Sequence, residues 1–304
     1  MDAALAIDIG GTKLAAAIVS AAGDVHAEQR APTAAEGDGE RLFADLERIA
    51  RAALDAAPPD LTVTGIGAGC GGPMEWPDGI VSPLYIPAWR GFPLRDRLDR
   101  AFGMRTVVDN DAKAMAFGEW WLGAGRASRN MIGIVISTGL GGGLVVDGRL
   151  LDGGHGHAGH IGHVNVDPDG PLCRCGTRGC AGAIAAGTSI ALRFRERTGR
   201  DASAADVAHL ARSGDAVARE LFADAARAVG RAIASVTAVC DLELAAIGGS
   251  IALHAWDLIG DELERELRAR ARLPFERALR VTQATLGQRA GLVGAGALLL
   301  RPAR

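Results

Sequence analysis

Residues 5–19 read LAIDIGGTKLAAAIV. Leu5–Ile9 is an apolar run of strand length, Gly10 and Gly11 supply a turn, and Lys13–Val19 is β-compatible again. The stretch therefore predicts a hairpin with Asp8, Gly10, Gly11, Thr12 and Lys13 at its tip. Glycines there let backbone N–H groups approach phosphate oxygens, and Thr12 adds a hydroxyl donor. Asp8 suits Mg2+ held through water, because that ion keeps much of its hydration shell. The hairpin is not a P-loop, since G-x4-G-K-[ST] is absent. The same grammar returns in residues 131–146, MIGIVISTGLGGGLVV. Met131–Ser137 is an apolar strand that Thr138, Gly139, Leu140, Gly141, Gly142 and Gly143 turn into Leu144–Val146. Two glycine-rich hairpins aimed at phosphate predict an internally duplicated α/β protein with two lobes.

Periodicity fills in the rest. Gly39–Ala57 carries Leu42, Leu46, Ile49, Ala53 and Leu54 on one helical face, and Pro58 and Pro59 end it. Val63–Ala68 reads as a strand, Gly69–Pro73 as a turn and Ser82–Leu94 as a loop. Thr106–Val108 is a strand that runs through Asp109, Asn110 and Asp111 into a helix from Ala112 to about Leu122. An acidic or amide residue there is also a good helix N-cap. Helices follow at Ala183–Arg197, Ala204–Arg212, Asp215–Val239 and Leu258–Arg272, strands at Leu244–Ile247 and Leu279–Ala284, and a closing helix at Leu292–Leu300. Gly248, Gly249 and Ser250 open a turn.

A second motif lies in residues 154–181, GHGHAGHIGHVNVDPDGPLCRCGTRGCA. Cys173, Cys175 and Cys180, with His163 ten residues before the first, make a Cys3His set that suits tetrahedral Zn2+. With all four positions filled by protein the metal is structural. Gly176 and Gly179 let the backbone fold tightly enough to point three sulfurs at one centre.

Of 304 residues 48% are hydrophobic, ample for a sizeable core, and 33 Lys and Arg against 36 Asp and Glu give a net charge of −3. Without a basic excess, nucleic acid is not an expected partner. The N-terminus has no basic region of signal-peptide type, and the apolar run Ala290–Leu300 is too short for a bilayer of ~20 residues, so no membrane partner is expected. Clustered cysteines fit a reducing cytoplasm and a metal rather than disulfides. Cys70 and Cys240 read as small buried residues.

The spacing G-H-x9-C-x-C-G-x2-G-C, here Gly162, His163, Cys173, Cys175, Gly176, Gly179 and Cys180, resembles the signature of the ROK family of bacterial sugar kinases and sugar-responsive repressors. The two hairpins look like the phosphate motifs of the actin-like ATPase superfamily, to which the ROK kinases belong, and Gly248–Ser250 looks like its adenosine motif. The resemblance implies an actin-like, ribonuclease H-like fold with ATP in the cleft. Its small lobe is residues 1–112, completed by the helix in 288–304, and its large lobe is 113–287 with the zinc motif. It implies Mg-ATP-dependent phosphoryl transfer to a primary hydroxyl, by analogy the 6-OH of a hexose. Asp111, in the segment NDAKAMAFGE, matches the family's general base and Asn110 a sugar contact. ATP and its phosphates fall to Asp8, Gly10, Gly11, Thr12, Lys13, Thr138, Gly139, Gly141, Gly248 and Gly249. Gly72, Tyr85, Asn110, His160 and His163 are the substrate candidates, and Trp89 either matches a sugar-lining tryptophan, with Ala88 in place of the usual glycine, or packs as a core aromatic. A homodimer is expected, as dimers are common in the family. A repressor of the family carries an additional N-terminal helix-turn-helix, whereas this sequence opens on the phosphate strand. Lys113 stands where the family commonly has asparagine. His160 and Gly182 stand where its kinases usually have sugar-binding glutamates, and Tyr85 where an asparagine is usual. The sugar pocket is therefore expected to be altered, with an amino sugar or cyclitol as the alternative to glucose.

Overall fold

The computed structural model describes residues 1–301. The chain divides into two compact units. The first comprises Met1–Arg126, Arg149–Ala158 and the residues from Gln288 on; the second comprises Ala127–Gly148 and Gly159–Gly287.

In the first unit, β1 (Asp2–Ile9) and β2 (Lys13–Ser20) form the expected antiparallel hairpin, and β3 (Val25–Pro32) adds to its outer edge. Helix α1 (Gly39–Asp55) follows, capped by Asp38 accepting from the Glu40 N–H, and leads to β4 (Thr62–Cys70). Three two-residue strands, β5 (Met74–Glu75), β6 (Ile80–Val81) and β7 (Phe92–Pro93), make a small separate sheet. Helix α2 (Leu94–Phe102), β8 (Thr106–Asn110) and α3 (Asp111–Leu122) complete this half. The main sheet runs β3-β2-β1-β4-β8, with β4 and β8 parallel to β1.

Both faces of β1 and β2 are covered, which explains their near-continuous apolar runs. Leu5, Ile7 and Ile9 point to α1, meeting Leu42, Leu46 and Ile49. Ala6 points the other way, to Leu292 and Ala295 of α11 (Ala290–Leu300). That second face is built from small residues, and a Cβ on Gly67 would overlap the Ala295 carbonyl. Helices α3 and α11 also cross closely: a Cβ on Gly118 would sit 2.9 Å from the Gly294 nitrogen. All of α3 therefore belongs to the first unit, whose break falls after Arg126 rather than at Ala112.

The second unit repeats the pattern of an antiparallel hairpin followed by two parallel strands. Its hairpin is β9 (Met131–Ile136) and β10 (Leu140–Val146); a short strand, β11 (Arg149–Leu150), comes next in sequence. β12 (Leu244–Gly248) lies parallel to β9, and β13 (Arg280–Gln283) parallel to β12. The helices are α4 (Ala181–Ala185), α5 (Gly187–Thr198), α6 (Ala204–Arg212), α7 (Ala216–Cys240), α8 (Ser250–His254), α9 (Trp256–Arg270) and α10 (Pro274–Arg277). Leu221, Phe222, Val229 and Ile233 of α7 pack in one core with Ile259, Leu263 and Leu267 of α9 and with Ile132, Ile134 and Ile136 of β9. The helix expected over 183–197 is two, broken where Ala186 turns extended (ψ 146°) and Gly187 N–H donates to the Ser137 carbonyl. No helix among the described residues is long and apolar enough to cross a membrane.

Candidate functional site

In the first unit the candidate residues gather at the carboxyl ends of β1, β4 and β8, where ligands bind in parallel α/β sheets. The register sets Asp8 beside Gly69, and Gly69 beside Asp109. The β1–β2 turn is closed by Gly10 N–H donating to the Lys13 carbonyl at 3.0 Å, and Thr33 braces it by donating from Oγ1 to the Gly10 carbonyl at 2.7 Å. Thr12 is exposed at the tip. Tyr85 lies against this turn: a Cβ on Gly11 would sit 2.7 Å from the Tyr85 Cβ, so glycine is required for the approach. The Gly72 carbonyl accepts from Leu84 N–H at 3.1 Å, and Arg90 Nη1 donates to the carbonyls of Pro83, Ile86 and Trp89. The loop that carries Tyr85 is thereby held on Gly72. Trp89 is fully buried, stacked on Phe92 at 4.5 Å, with its Nε1 donating to the Gly39 carbonyl. It is a core aromatic rather than a sugar-lining one.

Asn110, not Asp111, caps α3, its Oδ1 accepting from Ala112 N–H at 3.0 Å and Lys113 N–H at 3.3 Å. Asp111 is the first helical residue, and its Oδ1 accepts from Ala112 N–H at 2.8 Å. Its Oδ2 points toward Gly71, 4.0 Å from where a Cβ there would lie. Burial, and then the negative charge of Asp8, push the Asp111 carboxyl up to about 6. Burial also raises Asp8, opposed by Lys13 and Arg30. A carboxylate poised near neutrality beside a phosphate-type hairpin is equipped to take a proton from a hydroxyl. Asp8 offers the hard oxygen that Mg2+ prefers, and a cation there would offset the burial cost.

Sequence reasoning missed the ionic cluster next to Asp111. Lys113 is fully buried, and its Nζ contacts Asp109 Oδ2 at 2.8 Å, Asp152 Oδ1 at 3.0 Å and the Gly156 carbonyl at 3.1 Å. Asp109 Oδ1 accepts from Asn110 N–H at 2.7 Å. The only signal in the sequence was a lysine at a position otherwise suited to burial.

In the second unit the β9–β10 turn and the β12–α8 turn adjoin. Ser137 and Ser250 hydroxyls lie 3.0 Å apart, and a Cβ on Gly249, at φ +90°, would sit 2.5 Å from the Ile136 carbonyl. Thr138, Gly139, Gly248 and Gly249 are thus brought together. Thr188, in the first turn of α5, donates from Oγ1 to the Thr138 carbonyl at 3.0 Å. Gly141 lies on β10, and the next residue, Gly142, faces the turn that holds His160, since a Cβ there would meet the Gly159 carbonyl at 3.1 Å. The His160 and His163 rings are 6.2 Å apart. Gly182 does not stand in open space: its Cβ position is 3.1 Å from the Gly162 carbonyl.

The donor atoms of His163, Cys173, Cys175 and Cys180 all lie within 4.8 Å of one another. His163 Nδ1 is 3.9 Å from Cys173 Sγ, and Cys175 Sγ is 3.6 Å from Cys180 Sγ. Zn–S bonds of about 2.3 Å at tetrahedral angles imply sulfur–sulfur edges of about 3.8 Å, so the set fits zinc. The loop is shaped by Cys173 N–H donating to the Thr177 carbonyl and by Gly179, at φ +70°, where any Cβ would overlap the Asp167 carbonyl. A backbone bond from Thr177 draws the Cys175 thiol down to about 6, whereas burial and the neighbouring sulfurs push Cys180 up to about 12.

Residues 4–301 match the model of the ROK family. An N-acetylmannosamine kinase of Yersinia pseudotuberculosis is 36% identical over 297 residues, 97% of each chain. A glucokinase of Thermotoga maritima is 32% identical over 311 aligned positions, 97% of this chain and 96% of that one. Among solved structures, a ROK hexokinase from Thermus thermophilus superposes with a TM-score of 0.84 at 33% identity, over 97% of this chain and 96% of that one. A ROK family glucokinase from Streptomyces griseus, in complex with glucose and AMPPNP, superposes at 0.81 with 30% identity, over 97% and 98%. The chain belongs to the ROK family.

Proposed function

We infer that the chain, as a sugar kinase of this family, transfers the γ-phosphoryl group of ATP to the primary hydroxyl of a hexose or hexose derivative. The observation that carries the reading is Asp111, at the head of α3 with its carboxyl raised to about 6 and the β1–β2 turn close by. Such transfers need positioning and charge neutralisation more than covalent participation. Asp111 takes the acceptor proton as the hydroxyl attacks, an effect typically worth about 10²–10⁴-fold. The backbone N–H groups of Gly10 and Gly11 and the Thr12 hydroxyl serve phosphate oxygens in the first unit. Thr138 and Gly139 do so in the second, with Gly248 and Gly249 beside the nucleoside. Mg2+, held by Asp8 through water, would neutralise phosphate charge. Zn2+ on the Cys3His set would hold the His160–His163 turn in place from its own unit. The repeated hairpin-plus-parallel-strand sheets support the two-lobed actin-like fold that this chemistry uses.

An amino sugar is the second reading. It is favoured by the N-acetylmannosamine kinase among the relatives and by an imidazole at His160, which donates as well as accepts. The test for both is ADP release from Mg-ATP across a panel of glucose, mannose, N-acetylglucosamine, N-acetylmannosamine and cyclitols. Release with none of them would end the kinase reading, and release with glucose alone would end the second.

A further inference from the structure

We propose that Lys113 is a positioning residue on the acceptor side of the reaction, tying the strap Asp152–Ala158 and the turn Asp109–Asp111 into one block. The inference rests on the sugar-kinase reading. An ammonium has three N–H donors. Here all three are used: Asp109 at 2.8 Å, Asp152 at 3.0 Å and the Gly156 carbonyl at 3.1 Å. None remains for a substrate, so Lys113 acts through what it holds.

What it holds is specific. On one side Asp109 passes the constraint to Asn110 N–H, and Asn110 Oδ1 returns it to the N–H groups of Ala112 and Lys113. These bonds bracket Asp111 on both sides in sequence. On the other side the strap closes on itself through Ala158 N–H donating to the Asp152 carbonyl at 3.0 Å. Gly156, at φ +77°, packs so close to Trp76 that a Cβ would overlap the ring. The strap carries His155 and His157, and Trp76 belongs to the segment that runs on to Tyr85. One buried cation therefore links the base, the Tyr85 loop and two imidazoles. An ion cluster sealed this deeply, with the Lys113 side chain 0% exposed and that of Asp109 5%, contributes little net stability over an apolar filling. What an apolar filling cannot supply is three fixed directions.

The test compares Asp152→Asn and Lys113→Met with wild type by steady-state kinetics in each substrate, thermal melting and hydrogen exchange of the peptide spanning 150–158. Asp152 is the milder site, its side chain being 36% exposed. A misplacement of about 1 Å near the chemistry costs ~100-fold, so the expected result is a ~10- to 100-fold loss in kcat/KM for the sugar. The KM for ATP stays unchanged, and the strap exchanges faster. Should Lys113→Met not fold, Asp152→Asn decides alone. Sugar kinetics unchanged in Asp152→Asn, or sugar and ATP constants worsening in parallel, would overturn the proposal. A wild type inert toward every sugar would instead remove the kinase reading. Strap exchange in the variants then still judges the clamp, and unchanged exchange would refute it.

Discussion

The Asp8 carboxylate adds its charge to burial in holding the Asp111 carboxyl up at about 6. Asp111→Asn keeps the shape and the oxygen that accepts from Ala112 but cannot take a proton. Turnover is expected to fall by at least ~100-fold with nucleotide affinity intact. A variant that retains more than about a tenth of wild-type kcat would contradict the base role.

The same elevation predicts a pH dependence with a definite sign. The free-enzyme profile of kcat/KM should rise with slope one through about pH 6 and then level off, because only the ionised carboxylate accepts. Stability runs the other way. The folded state binds this proton more tightly than the unfolded chain, so between 3.8 and about 6 stability falls as pH rises. Asp111→Asn should therefore melt higher than wild type at pH 8, by about 1–2 kcal/mol after allowing for partial exposure. Equal melting at pH 8 would show that the carboxyl is not perturbed.

Metal analysis should find about one zinc per chain. Chelation should lower the melting temperature and speed hydrogen exchange in the second unit, because the loop from Val164 to Ala181 has little core of its own. Full activity and unchanged melting in zinc-free protein would remove the metal from the account.

Gly294→Ala should destabilise by ~1–3 kcal/mol, since the new methyl would overlap the Ala114 carbonyl where α11 crosses α3. Gly154→Ala is the control: nothing lies within 4 Å of its Cβ position. Urea melts of the two variants give the comparison directly, and equal midpoints would mean the crossing is looser than described.

Glucose is expected to be a poorer substrate than an amino sugar. Carboxylates at 160 and 182 would each offer charge-assisted acceptors worth roughly 1.5–3 kcal/mol, and this chain has an imidazole and no side chain there. His160→Glu should raise kcat/KM for glucose. Gly182→Glu is the less informative change, because its Cβ would crowd Gly162 at 3.1 Å. Glucose used as well as any other sugar, with no gain in His160→Glu, would show an unaltered pocket.

The hairpins, the α3 boundary and the grouping of His163 with three cysteines were legible because each is local: glycine turns between apolar runs, and ligands within eighteen residues. What escaped depends on distant partners. Lys113 meets Asp152 and Gly156 across 39 and 43 residues, and no periodicity marks that pairing. Strand β3 escaped because an edge strand buries little, with only Ala31 buried in VHAEQRAP. Trp89 read equally as a ligand platform or a core aromatic, because an aromatic in a loop gives no sign of which way it faces. The single helix expected over 183–197 failed at Ala186, where a bond from the next residue to the Ser137 carbonyl outweighs a good helix former.

The position of α11 has a consequence for how the protein is made. Its helix fills one face of the sheet whose first strand is Asp2–Ile9, yet every residue of the second unit is synthesised before it. Units generally fold as they emerge. Here the first to appear keeps an uncovered face lined by Ala6, Ala15, Ala17 and Val19 while the second can already close. During that interval the residues of this face await the Leu292 and Ala295 side chains that complete their cluster.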